Sequence, residues 1–208
     1  MAIAYPLTAP ERPGFRNFSW EGESAVVVQK REFTFQQKAY GWDGQIRRAN
    51  CELGPLINRD IIAEWDAFIM SLNGQQGTFY LQDPYQFRSR GNIKNYPGAS
   101  GSVQGADQIG ESIVTDGWPT GVANLFKKSD WISIGGRLYQ LRGDVNSDGG
   151  GVATLPIWPF ARKDLANDAT ILTGENAKGI FRMLHFPRLE WNVEEQRDGI
   201  SFSCEEAF

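Results

Sequence analysis

One stretch of the chain places its apolar residues at helical spacing: Ile61, Ile62, Trp65, Phe68, Ile69 and Leu72 recur three, four and seven residues apart on a single face. The spacing predicts a helix over residues 58–72, packed on a sheet. Asn58 supplies a capping oxygen for the free N–H groups of its first turn, and Asp60 lies near the positive end of the helix dipole. The Asn73-Gly74 pair ends it, because both residues tolerate the left-handed conformation of a helix C-terminus.

Elsewhere the pattern is that of strands. Residues 24–29 are β-branched, residues 32–37 alternate Phe33 and Phe35 with polar neighbours, and residues 45–53 form a third strand after a turn at Tyr40-Gly41-Trp42-Asp43-Gly44. A further strand at 77–81 is stopped by Asp83-Pro84. Residues 91–110, rich in Gly, Ser, Ala and Asn, read as a domain boundary or a long surface loop. Residues 131–134 and 137–142 flank Gly135-Gly136, the strongest hairpin signal in the chain, since two glycines readily take the positive φ angles of a tight primed turn. A strand at 152–158 follows the polar connection 144–151 and is closed by Pro159; these strands build a small antiparallel barrel or sandwich. A polar loop over 164–178 leads into a strand at 179–186. The strict alternation at 200–204 marks a last strand that needs a sheet to join, and the N-terminal sheet is the one available, with the middle of the chain inserted. Pro6, Pro10 and Pro13 make the first residues an extended arm.

Composition narrows the classes. The 208 residues carry 21 Lys+Arg against 25 Asp+Glu, a net charge of −4, with a pI near 5.1. No basic run is present, which argues against specific nucleic-acid binding, because phosphate neutralisation supplies most of that affinity. With 41% hydrophobic and 12% aromatic residues, disorder is not expected. No stretch approaches the roughly 18 apolar residues of a membrane helix, and the first ten residues lack a signal-peptide pattern. A soluble protein made in a reducing cytoplasm is expected. Cys51 and Cys204 alone build no disulfide framework and no four-cysteine metal site.

Candidate chemistry is sparse. Asp144-x-Asn146-x-Asp148-Gly149 opens like a calcium loop, but Leu155 stands where the bidentate Glu is needed, so the segment reads as a turn. His185 is the single histidine, which leaves only remote Cys–His pairings with Cys51 or Cys204, and no Gly-x-Ser-x-Gly elbow exists. Glu194-Glu195 and Glu205-Glu206 point to opposite faces if in strands, and read as solvated. The glycines between Gly98 and Gly105 lack phosphate-loop spacing. Asn17-Phe18-Ser19 is a glycosylation sequon without consequence in a cytoplasmic product. Arg47-Arg48 and Arg88-x-Arg90 read as salt-bridging or subunit-facing pairs. Among the 7 tryptophans, Trp65, Trp131 and Trp158 belong to core elements, whereas Trp20, Trp42 and Trp118 sit in turn-rich contexts and are candidate interface anchors. No catalytic residue, cofactor site or metal site is assigned, and an enzyme is not expected.

The order of motifs carries a resemblance. The helix Ile61-Ile62-Ala-Glu-Trp65-Asp-Ala-Phe68-Ile69 with Gly77-Thr-Phe-Tyr-Leu-Gln-Asp-Pro84, then Thr115-Asp-Gly-Trp118, the run from Leu125 to Leu141, Ala153-Thr-Leu-Pro-Ile-Trp-Pro159, Gly179-Ile-Phe-Arg182 and the closing Ile200-Ser-Phe-Ser together resemble the distal tail proteins and related minor tail proteins of long-tailed bacteriophages (siphophages). The resemblance covers most of the chain and implies a mainly β protein: a split, hub-like antiparallel β-barrel or sandwich domain with one packed helix (1–86 with 182–208), and an inserted small β-barrel domain (87–181). It further implies a structural virion protein of the tail tip, a homohexameric ring joining tail-tube protein to baseplate hub protein, with the tape-measure protein and DNA passing through a channel whose lining is polar and not basic. No membrane partner is implied. Two alternatives stand beside it: a trimeric baseplate hub protein, and a carbohydrate-binding module holding host sugars on Trp118 or Trp131.

Overall fold

The computed structural model describes residues 3–56, 58–189 and 199–207. Twelve strands and one α-helix run in the order β1 (Leu7–Thr8), β2 (Phe15–Lys30), β3 (Gln37–Leu53), α1 (Arg59–Ser71), β4 (Phe79–Leu81), β5 (Gly101–Val103), β6 (Gln108–Asp116), β7 (Trp131–Ile134), β8 (Arg137–Leu141), β9 (Ala153–Leu165), β10 (Thr170–Thr173), β11 (Gly179–Met183) and β12 (Ser201–Glu206). They form two layers of pairing: a six-stranded sheet ordered β1-β4-β11-β12-β3-β2, and a closed six-stranded barrel ordered β10-β5-β6-β9-β8-β7. The protein is mainly β with one packed helix and a closed barrel. The sheet itself is open, and β1 pairs with β4 in parallel.

The helix forms where the periodicity places it. The Asn58 side chain accepts from the Asp60 backbone N–H at 2.8 Å, and Asn73 and Gly74 follow with φ of 48° and 68°. Ile62, Trp65, Phe68, Ile69 and Leu72 bury against Cys51, Leu53, Phe79, Leu81 and Phe202 of the sheet. Trp131 and Leu138, two barrel residues, are buried in this same cluster, so barrel and helix together cover one face of the sheet. A second core fills the barrel, built around Ile113, Trp118, Leu125, Phe126, Tyr139 and Leu155. β12 lies between β11 and β3, pairing Phe202 with Cys51 and Met183 with Cys204.

Several expectations need correction. Of residues 32–37, expected as a strand, 32–36 belong to the hairpin turn, and Tyr40-Gly41-Trp42-Asp43-Gly44, expected as the turn, lies inside β3. The pairing of β2 with β3 runs out to Lys30 and Gln37, and this continuous ladder outweighs the local turn preference. Residues 91–110 are not a surface loop: Gly91 is buried, a 3-10 turn spans Asn92–Asn95, and β5 runs over Gly101–Val103. Gly101 packs so closely under the Trp118 ring that a Cβ there would lie 2.2 Å from it. β9 continues past Pro159 to Leu165. The polar stretch 164–178 contains β10, which joins β5 to β7 and closes the barrel. The proline-rich arm packs on its own chain, with Tyr5 Oη donating to the Ser71 carbonyl at 2.7 Å and Trp65 Nε1 to the Arg12 carbonyl at 2.7 Å.

Candidate interaction surface

β2 and β3 extend as a two-stranded ribbon well beyond the sheet. β12 pairs with β3 only between Arg48 and Glu52, whereas the β2–β3 ladder continues through Ser24–Gln45 to Lys30–Gln37. Among the described residues, 24–43 therefore have open strand edges on both sides. Strand edges of this length pair with other chains unless covered or blocked. The ribbon is also apolar: Val26, Val27, Val28, Tyr40 and Trp42 are exposed on it, and Phe33 at its tip is 96% exposed. Phe35 is 70% exposed and holds φ 54°, an unusual conformation for a bulky residue and one fixed here by the bonds Arg31 N–H to Gln36 carbonyl and Phe35 N–H to Arg31 carbonyl, both 2.9 Å. Lys30 stands over the Phe35 ring at 5.1 Å and Lys38 over Tyr40 at 4.9 Å.

The sheet face away from the helix is polar. Strand alternation puts Asn17, Ser19, Glu21 and Glu23 of β2, Arg48, Asn50 and Glu52 of β3, and Ser201, Ser203 and Glu205 of β12 on it, opposite the half-buried Trp20 and the buried Ala49, Cys51 and Phe202. Arg48 bridges Glu23 at 2.6 Å and Glu205 at 3.2 Å, and these two acids raise its pKa. Ser203 Oγ donates to Asn50 Oδ1 and Asn50 Nδ2 to Glu21, each at 2.6 Å. With Arg182 of β11 the strands of this face hold four carboxylates and two guanidinium groups, and Arg188 and His185 line a cleft over it, so it is polar and mixed in charge.

Between sheet and barrel lies a charged aromatic seam that the sequence did not announce. Arg47 is 3% exposed, with its guanidinium carbon 4.4 Å from the Trp158 ring, 4.5 Å from Trp131 and 5.4 Å from Trp20. Burial lowers its pKa to about 9, which leaves it charged at neutral pH. Arg137 pairs with Glu206 at 3.0 Å, both side chains nearly inaccessible. Burial raises the Glu206 pKa against the opposing pull of Arg137, Arg47 and Arg162, and its second oxygen has no protein partner. The paired carboxylates do point to opposite faces, but only Glu205 reaches the open face; Glu194-Glu195 lies outside the described residues.

The remaining candidates separate. Trp42 is exposed, whereas Trp118 is buried in the barrel with Nε1 donating to Thr115 Oγ1 at 2.7 Å, and Trp20 is half-buried with Nε1 donating to Asp83 at 2.9 Å. Trp118 and Trp131 are each 3% exposed, so neither ring face can take a sugar. The turn at 144–151 spends its oxygens separately: Asp144 on Lys127, Asn146 on the Asn124 N–H, and Asp148 on the N–H groups of Gly150 and Val152. Lys127 and the Lys128 N–H lower the Asp144 pKa. Cys51 and Cys204 are buried, free thiols on neighbouring strands, whereas His185 is exposed. Arg88 and Arg90 reach Glu175 and Asp130. Asp130, which no motif marks, is buried and accepts from Ser89 Oγ and from the N–H groups of Arg90, Gly91 and Lys127. Among the described residues no group of three or more His, Cys, Asp or Glu side chains converges as a metal site, and no helix is long and apolar enough to cross a membrane. No protein-family model matches the chain, and no curated protein sequence matches it.

Proposed function

We propose that this chain is a non-catalytic structural protein of a siphophage tail tip, assembled in the host cytoplasm and carried in the virion. Its sheet domain (1–86 with 182–208) forms a homohexameric ring between tail tube and baseplate hub, and the inserted barrel domain (87–181) sits outside. The observation that carries this reading is the ribbon 24–43, whose open edges and exposed Val26–Val28, Phe33 and Trp42 belong in an interface and not in water. The two edges of the sheet differ, one long (β2) and one of two residues (β1), and a contact between unlike surfaces of neighbouring copies is head-to-tail, the geometry that closes into rings. The polar sheet face supports the same reading, since its arginines are interspersed with carboxylates and form no basic run that would hold phosphates.

Native mass spectrometry of the purified protein over a concentration series, with and without a tail-tube protein, tests it. A sixfold mass is expected; a threefold mass would move the assignment to a trimeric hub. A monomer under every condition would overturn the ring.

A further inference from the structure

The ribbon tip has a complementary surface on the same molecule, at a place it cannot reach. A cleft of about 320 Å³ opens beside β1, the other edge of the sheet, walled by Pro10, Pro13, Phe15, Tyr80, Pro84 and Phe87. Its walls are prolines and aromatic rings, which suit a flat apolar side chain, and its rim carries Glu11 and Lys178 and is neutral. The cleft is concave and the ribbon tip convex. The tip lies beyond Lys30 at one end of β2, whereas the cleft takes in Phe15 at the other end of that strand together with Tyr80 of β4 and the arm.

Resting on the ring reading above, we infer that Phe33 and Phe35 of one copy seat in the cleft between the arm and β4 of the next copy. The occupant is a second copy of this chain. Weighted by their exposures, Val26, Val27, Val28, Phe33, Phe35, Tyr40 and Trp42 leave on the order of 800 Å² of apolar surface in water, taking roughly 150–250 Å² for each aromatic residue. A stable interface takes about 800 Å² from each partner, so the apolar surface of the ribbon, counted over both of its faces, is of the size that a contact between copies needs. Charge selects against the symmetric alternative: Lys30, Arg31 and Lys38 surround the tip against Glu32, and two tips face to face would bring like charges together. A knob at one end of β2 and a hole at its other end are different surfaces, so their contact is head-to-tail and propagates in one direction around a ring.

Complementation between two damaged copies provides the test. Phe33→Ser with Phe35→Asn removes the knob, and Asn suits the positive φ at that position. Gly14→Arg fills the cleft and opposes the basic tip, and a Cβ at Gly14 meets no atom within 4 Å, so the folded monomer accommodates it. Far-UV circular dichroism and thermal melting check that both variants fold. Each variant alone is expected at monomer mass in native mass spectrometry, and an equimolar mixture is expected to give a one-to-one heterodimer, one intact knob meeting one intact cleft. If Gly14→Arg still assembles like the wild type, the ring stands and the cleft is not the receptor. A mixture that remains monomeric also overturns the inference, while a wild type that never exceeds a monomer overturns the ring reading with it.

Discussion

The Arg47 guanidinium of β3 lies over the Trp158 ring of β9, its carbon 4.4 Å from the ring centre, while its Nη2 donates to the Trp158 carbonyl at 3.2 Å. That pair joins a sheet strand to a barrel strand. Gly22 of β2 completes the fit, because any Cβ there would stand 2.5 Å from the same indole. Arg47→Ala should cost roughly 2–4 kcal/mol, from the loss of a desolvated cation–π contact and the cavity left behind. Arg47→Lys should recover little of it, since an ammonium offers no plane to stack. Urea denaturation of the three proteins measures both values.

Asp130 holds the start of the barrel to the segment that enters it, through one hydroxyl and three backbone N–H donors. Asp130→Ala leaves those N–H groups without an acceptor in a buried site and should cost about 3 kcal/mol or more. Asp130→Asn retains one acceptor oxygen and should fall between. Thermal melts ranked in any other order would remove Asp130 from this role.

Glu206 makes stability depend on pH with a definite sign. Its folded-state pKa is raised above 4.5, chiefly by burial, so the fold favours the protonated acid. Its contribution is full below the unfolded value and is lost as pH rises through the folded one. Arg47, Arg162 and Tyr139, which lie near it, keep their charge states across that window. Measured against Glu206→Gln at each pH, the wild type should therefore lose relative stability as pH climbs from about 4. A difference that grows with pH would contradict the burial account.

Burial, reinforced by the adjacent Cys51, pushes the Cys204 thiol well above the ordinary range. A chromogenic disulfide reagent needs the thiolate. The native protein should react at the rate of its own unfolding, and both thiols should appear together once urea has opened the sheet. Rapid labelling of one thiol in the native state would show that β12 frays away from β3.

What was legible in the sequence follows from how local the cause is. The helix at Arg59–Ser71 and the Gly135-Gly136 hairpin rest on periodicity, capping and positive φ within a few residues, and both stand where those signals place them. The tip of the ribbon was misplaced because Arg31 to Gln36 contains no Gly, Pro or Asn, while Gly41 and Gly44 lie in β3 where their signal points to a turn. β10 was hidden because only Ile171 of its four residues is buried. Arg47 was misread for a different reason: an arginine next to another reads as surface until three indoles, contributed by β2, β7 and β9, converge on it. The exposure of Phe33 and Val26–Val28 could not be read from alternation, which assigns faces but not whether anything covers them.

The placement of β12 between β3 and β11 has a consequence for synthesis on the ribosome. β3 emerges more than a hundred residues before the strand that pairs with its inner edge. Throughout that interval the nascent chain carries an unzipped sheet, with Ala49, Cys51 and Leu53 waiting for Phe202 and Cys204. Long-range pairing of this kind is slow and exposes sticky edges while it waits. The barrel's strands, all sequential between Gly101 and Thr173, can close on themselves meanwhile. The order of assembly is then barrel first and sheet last, so truncation before Ser201 should yield a chain with a formed barrel and an aggregation-prone remainder.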